Sequence, residues 1–158
     1  MEYDIIEVED LSGTKAHIYT IRLQGETRTL LDDFFEENKD QYTKELTKIV
    51  NQLKIMGHKV GCQDTLFKVD EGRLGDGVCA ISVGRIRLYC IRYGNITLIL
   101  GSGGFKPPDI RAYQENSSLN TKAQQVKDIA AELNQMIKDR EIRISEDGVI
   151  TIDTNDYD

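Results

Sequence analysis

The middle of the chain most constrains the fold, because residues 78–100 read "VCAISVGRIRLYCIRYGNITLIL". Three runs rich in β-branched and aromatic residues follow one another, and Gly84 and Gly94 separate them. This is the pattern of short strands joined by tight turns. Gly94-Asn95 predicts a two-residue hairpin loop, since a type II′ turn favours glycine at its first central position. The segment therefore predicts an antiparallel meander.

Segments with the period of amphipathic helices flank this meander. Residues 29–40 and 41–57 place apolar side chains every three or four positions, and Gly57 stands where a helix end is capped. A third helix is predicted from about Thr121, with an apolar stripe of its own. These helices should cover the sheet.

Two further elements complete the prediction. Residues 16–24 predict a first strand, and residues 141–153 predict a terminal hairpin about Asp147-Gly148. A chain of 158 residues is long enough to bury a core as one domain. We expect a single α+β domain over 1–158, an antiparallel meander sheet packed against helices. Its core should span about 16–140, with an acidic N-terminal extension and a C-terminal hairpin and acidic tail over 141–158.

Composition narrows the classes of function. No stretch approaches the run of about 20 apolar residues that a membrane helix needs, and the acidic N-terminus lacks the layout of a secretory signal. We therefore expect no membrane partner. The three cysteines are an odd number without a CxxC pair, which predicts buried, reduced thiols in a cytoplasmic protein. With two histidines besides, we expect neither a metal nor another cofactor.

Charge is distributed unevenly along the chain. Removing the five acids of residues 1–10 and the five of residues 144–158 from the net charge of −7 leaves +3 for residues 11–143. Residues 85–111 carry five cations against Asp109 alone. These cations are Arg85, Arg87, Arg92, Lys106 and Arg111. A basic middle between acidic ends keeps an anionic partner open, although acidic ends also serve solubility.

The meander predicts where these cations lie. With a two-residue loop, Arg87 pairs with Ser102 and Arg85 with Gly104, and alternation brings Lys106 to the same face. Glycines opposite the arginines would leave space for a ligand above the backbone. The result would be a shallow cationic patch of Arg85, Arg87 and Lys106. A β-bulge at any of the glycines would instead turn Lys106 to the other face.

Other interpretations of this region are weaker or stay open. The segment "GSGGFKPP" (101–108) fits neither a P-loop nor a dinucleotide fingerprint, because proline follows its lysine and no helix begins there. As an alternative to ligand binding, the arginines would lie on a solvated face. They would then pair with acids of the first helix, such as Asp32, Asp33 or Glu36.

The order of elements resembles the RelE/ParE/HigB-like toxin superfamily over roughly residues 16–135. Toxins of this kind have a first strand, a helical hairpin, an antiparallel meander and a further helix. The local likeness is strongest in "GRLGDGVCAISVGRIRLYCIRYGNITLILGSGGFK" (72–106). The preceding "VNQLKIMGHKVGCQDTLFKVDEG" (50–72) is similar to the family's segment between helix and sheet. The chain departs from many relatives at Ser82, where they carry an arginine, and at Lys106, where they carry two lysines.

The resemblance implies the toxin of a type II toxin–antitoxin pair, acting as a metal-independent endoribonuclease on mRNA, in association with the ribosome. Its partner would be an antitoxin with a helix-turn-helix domain. The catalytic set it implies is Arg85, Arg87, Lys106 and Tyr113. The RNA-binding set is Arg73, Arg92 and Arg111. The alternative is a non-catalytic binding module on the same fold, either a ParE-like gyrase inhibitor or a protein-interaction domain.

Overall fold

A computed structural model describes residues 2–68, 75–109 and 117–153. Its centre is a five-stranded sheet in the order β1-β2-β5-β4-β3. Only β2 and β5 run parallel, so the sheet is mixed and mostly antiparallel. The strands are β1 (Tyr3–Glu7), β2 (His17–Leu23), β3 (Val78–Val83), β4 (Ile86–Tyr93) and β5 (Thr97–Phe105). The predicted α+β class is confirmed.

Helices cover both faces of this sheet. Helix α1 (Leu30–Asn38) and helix α2 (Thr43–Ile55) pack on one face, where Phe34 and Leu53 are fully buried. Helix α3 (Ser117–Lys138) packs on the other face through a stripe that includes Val126. Both clusters are built from the apolar face of a helix and alternate residues of the strands.

The start of α1 and the end of α2 show why the chain folds this way locally. Thr29 caps α1 through a reciprocal pair of hydrogen bonds with Asp32. Gly57, predicted to cap α2, lies instead within a π-helical turn (Met56–Val60) that follows it, and Gly61 with φ +78° ends that turn. A side chain at Gly57 would meet the Leu11 carbonyl oxygen at 1.9 Å, so this glycine serves a close backbone approach.

The meander forms as predicted, but its turn does not. Tyr93 pairs with Thr97, so the β4–β5 loop has three residues, and the expected two-residue loop is wrong. A bulge follows, because Cys90 pairs with Leu100 whereas Leu88 pairs with Gly103. The extra residue lies in β5, at Gly101-Ser102.

The ends of the described chain also join the fold. The acidic N-terminus, expected outside the core, contributes edge strand β1, and α3 begins four residues before the predicted Thr121. Strands β6 (Ile142–Ile144) and β7 (Ile150–Ile152) form the predicted hairpin. Thr97 Oγ1 donates to the Gly148 carbonyl at 2.8 Å, which fastens the hairpin tip to the sheet. No helix within the described ranges is long and apolar enough to cross a membrane.

Candidate nucleic-acid interface

One corner of the sheet gathers the three cations of the predicted patch. Gly84 and Arg85 form the turn between β3 and β4, and the Lys106 amide donates to the Arg85 carbonyl at 2.7 Å. Arg87 lies opposite Gly104, not opposite Ser102 as the shorter loop predicted. The longer loop and the bulge each shift the pairing by one residue. Lys106 therefore lies across from Arg85, where Gly104 was expected, and stays on the predicted face. We call this corner the cationic corner (Arg85, Arg87, Lys106).

The three cations differ in their exposure to solvent. Arg85 is exposed, whereas Arg87 and Lys106 are only 4% and 6% exposed. Arg87 Nη1 donates to the Gly84 carbonyl at 2.8 Å and to the Ile86 carbonyl at 3.2 Å. Arg87 thus stabilises the turn that contains Arg85. Solvent reaches the cationic corner chiefly at Arg85.

Helix α3 fills the space that the glycines of β5 were expected to leave for a ligand. A side chain at Gly101 would lie 2.3 Å from Val126 Cγ2. One at Gly104 would lie 3.9 Å from Leu119 Cδ2 and 3.8 Å from Lys122 Nζ. The absence of side chains on β5 therefore lets α3 approach the sheet, and the predicted open surface above these glycines is wrong.

Lys122 is a cation at this corner that the sequence prediction missed. Its ammonium donates to the Gly103 carbonyl at 2.9 Å and forms an ion pair with Glu37 of α1. The side chain thereby ties α3 to the end of β5 and to α1. In the sequence it reads as one of several lysines on the polar side of a helix, so no local signal distinguishes it.

A pair of aromatic rings lies beside the cationic corner on the other face of the sheet. Phe105 pairs with Ile86 at the end of β5, and its ring stacks on Tyr42 with centroids 5.5 Å apart and planes 15° apart. Phe105 is 38% exposed. An exposed ring with a second ring behind it is the kind of surface on which an unpaired base stacks.

The remaining predicted site residues do not join this corner. Arg92 lies near the far end of β4, where its Nε donates to the Cys62 carbonyl at 2.6 Å and its Nη2 to Asn95 Oδ1 at 2.6 Å. Its guanidinium also lies 5.9 Å from the centre of the Phe67 ring. These contacts give Arg92 a packing role. Arg73, Arg111 and Tyr113 lie outside the described residues.

The acids proposed as alternative partners of the arginines have other partners, and Asp32 accepts from the Thr29 amide at the start of α1. Asp33 lies 3.2 Å from Arg28 Nε, and Glu36 lies 4.0 Å from Arg28 Nη2 and 2.9 Å from Lys39 Nζ. The Lys39 contact, more than the weaker field of Arg28, holds the pKa of the Glu36 carboxyl below its usual range. The described ion pairs of α1 are thus made with Arg28, Lys39 and Lys122, and Arg85 is not among their partners.

The three cysteines are free and buried. Cys79 and Cys90 face each other on β3 and β4 with sulfurs 3.9 Å apart. Burial raises the pKa of the Cys62 thiol to about 12 and holds the pKa of Cys90 well above its ordinary value. Such thiols are poor nucleophiles. Within the described residues, no cluster of three or more histidine, cysteine or acidic side chains could hold a metal.

The arrangement can bind an anion at an exposed arginine and stack a base on Phe105. Two described carboxylates lie close to the corner: a side chain at Gly84 would lie 3.7 Å from Glu45 Oε2, and Glu37 is paired with Lys122. A scan of protein-family models, a search of curated proteins and a search of solved structures each found no significant match to this chain.

Proposed function

We propose that the protein is a RelE/HigB-like toxin that binds RNA at the cationic corner and cleaves it without a metal. The observation that carries this proposal is the convergence of Arg85, Arg87 and Lys106 at one end of the sheet. The element order supports it as well. Strand β2, two helices, a three-stranded meander and a further helix follow one another as in toxins of this superfamily.

The proposed chemistry assigns a role to each group. The 2′-oxygen of the RNA attacks the adjacent phosphorus and loses its proton, while the 5′-oxygen leaves and gains one. The products are a 2′,3′-cyclic phosphate and a free 5′-hydroxyl. Arg85 engages the phosphate first because it is exposed, and its planar guanidinium can contact two oxygens. Arg87 and Lys106 add positive potential beneath the developing charge, where low solvent exposure strengthens it.

Proton transfer is the role assigned to Tyr113, and Arg73 and Arg111 are assigned to the RNA backbone. Such general acid–base help is typically worth about 10²–10⁴-fold in rate. The partners of this toxin would be mRNA on the ribosome and a cognate antitoxin with a helix-turn-helix domain. Its place of action would be the cytoplasm.

A non-catalytic binding module is the second candidate, and one observation favours it. Arg87 and Lys106 are almost fully buried, and Arg87 is engaged by two backbone carbonyls. Cations held in this way stabilise a turn without touching a substrate. The module would then act by binding a protein such as gyrase.

Controlled induction in cells, combined with primer extension on cellular mRNA, separates the two candidates. The variant to compare with wild type is Arg85→Ala, because Arg85 is exposed and its loss leaves the core intact. Arg143→Ala is the matched control, since Arg143 is an exposed arginine on the β6–β7 hairpin. We expect growth arrest and new mRNA ends with wild type and the control, and neither with Arg85→Ala.

Two results would contradict this proposal, the first its activity and the second its site. Intact mRNA with a well-expressed, folded wild type, whether or not growth stops, would leave the binding module. Cleavage that persists in Arg85→Ala would move the active site away from the cationic corner.

A further inference from the structure

A groove runs between α1 and α2, on the side of the molecule away from α3. Its volume is about 460 Å³. The described residues that line it are Phe35, Lys39, Thr43, Leu46, Thr47, Val50, Asn51 and Lys54. Phe35 and Val50 are only partly buried, and they pack against the core from outside. The groove therefore has an apolar floor that solvent reaches.

The rim of this groove is positively charged. Its lining residues include two lysines and no carboxylate. Lys39, at one end, forms an ion pair with Glu36 at 2.9 Å. No ion pair involves Lys54, at the other end, among the residues that the structure describes.

The outward face of α2 extends the same charge. Its exposed residues, together with those of the π-helical turn that follows, carry four lysines and no acid. These lysines are Lys44, Lys48, Lys54 and Lys59. The acid of α2, Glu45, is half-buried and turned towards the β3–β4 turn, where a side chain at Gly84 would lie 3.6 Å from its Cγ. In a chain with 27 acids and 20 basic residues, an acid-free helix face is a local reversal of charge.

Exposed apolar side chains accompany the lysines. Ile55 and Val60 are 45% and 42% exposed at the end of α2 and in the turn after it. A phosphate group is a poor match for an apolar floor. It would lose part of its own hydration on binding, and the apolar surface of the groove would stay exposed to water. An amphipathic helix matches both features, since its apolar ridge fills a groove between two helices while flanking acids meet the lysines.

We infer that this groove is a docking site for an acidic amphipathic helix of a partner protein. A second copy of the chain does not supply such a helix from its described residues. The apolar stripes of α1, α2 and α3 are all buried in their own domain. The inference is independent of RNA cleavage, because none of the groove residues belongs to the cationic corner.

The test measures fluorescence anisotropy of a labelled 16-residue peptide. The peptide carries leucines at helical i, i+3, i+4 and i+7 spacing, with glutamates flanking this ridge. One comparison peptide has lysine in place of each glutamate, and another has serine in place of each leucine. Wild-type protein should bind the acidic leucine peptide at least about 10-fold more tightly than either comparison peptide, because both charge and ridge contribute.

Lys54→Glu is the decisive protein variant, because Lys54 is exposed and its change leaves the core intact. It should weaken binding of the acidic peptide about five-fold or more. Lys138→Glu is the matched control, an exposed lysine at the end of α3, and it should bind like wild type. Thermal unfolding of both variants checks that each is folded.

Several outcomes would overturn the inference. They are failure of the acidic peptide to bind, equal loss of affinity in Lys54→Glu and Lys138→Glu, and stronger binding of a single-stranded RNA of the same charge that displaces the peptide. A concentration-dependent dimer that Lys54→Glu abolishes would assign the groove to a second copy instead.

Discussion

The cations on the two sides of the sheet differ in their exposure to solvent. On the α3 side, Arg87 and Lys106 project from the region of the sheet that predicts a binding patch, yet both are almost fully buried. On the α2 side, lysines from a helix whose apolar stripe suggested only packing are exposed, and none of them forms an ion pair among the described residues. The sequence shows that a side chain is cationic and could bind an anion. Whether a ligand can reach that side chain depends on the helices that pack over it.

Substitution of a glycine in β5 is expected to have the largest effect on stability. A side chain at Gly103 would lie 1.8 Å from the Arg87 carbonyl oxygen, and backbone at that position cannot move aside. Gly103→Ala should therefore lower the free energy of unfolding by about 3 kcal/mol or prevent folding. Urea unfolding followed by circular dichroism measures the change.

Gly104→Ala is the matched control for this substitution. A side chain there would meet Lys122 Nζ at 3.8 Å and Leu119 Cδ2 at 3.9 Å, which are ordinary contacts. The control should stay within about 1 kcal/mol of wild type. Equal stability of the two variants would contradict the bulged register of β5 and the close approach of the β4 backbone to Gly103.

The elements were predictable because their signals are local. The glycine-bounded, apolar and aromatic run of β4, for example, and the helical period of α2 are set by residues a few positions apart. Strand β1 was missed because two of its five residues are acids, Asp4 and Glu7. The strand forms through its antiparallel pairing with β2. Pairing between distant segments leaves no periodic signal in a run this short.

The site was predictable only in part, for a related reason. Arg85, Arg87 and Lys106 do meet at one corner, although the loop length and the bulge are two errors of one residue in the same direction. Together they shift the pairing by two residues, which leaves each side chain on its predicted face. Neither error changes the local pattern of apolar residues. Burial of Arg87 depends on which face α3 covers, and a helix stripe does not specify its sheet face.

The arginines of the cationic corner offer a second way to sharpen the comparison. Arg87→Ala removes the donor to the Gly84 and Ile86 carbonyls and should lower the free energy of unfolding by about 1–3 kcal/mol. Arg85→Ala, in the exposed turn, should change it by less than about 0.5 kcal/mol. Chemical denaturation of both variants measures the difference. An Arg87→Ala protein as stable as Arg85→Ala would mean that the Arg87 contacts contribute nothing, and a functional role for Arg87 would gain weight.

The loss of stability at alkaline pH can be compared between the two cores that lie on either side of the sheet. Burial raises the pKa of Cys62, in the α1–α2 core, from 9.0 to about 12. It raises that of Tyr93, packed against the α3 core, from 10.0 to about 12. In both cases the folded protein holds its proton more tightly than the unfolded chain. Stability is therefore complete below about pH 9 and falls as the pH rises towards 12, by up to about 1.4 kcal/mol per pH unit for each proton.

Two variants separate these contributions in urea unfolding at pH 7.5, 9, 10 and 11. Cys62→Ala should flatten the decline from pH 9 upward, because its thiol titrates first in the unfolded chain. Tyr93→Phe should flatten it only above pH 10, and should also lose the hydrogen bond to Asn134 Oδ1 at every pH. An identical decline in wild type and both variants would place the alkaline sensitivity in other groups. A decline abolished by Cys62→Ala alone would show that the α2 side of the sheet sets the alkaline limit of the fold.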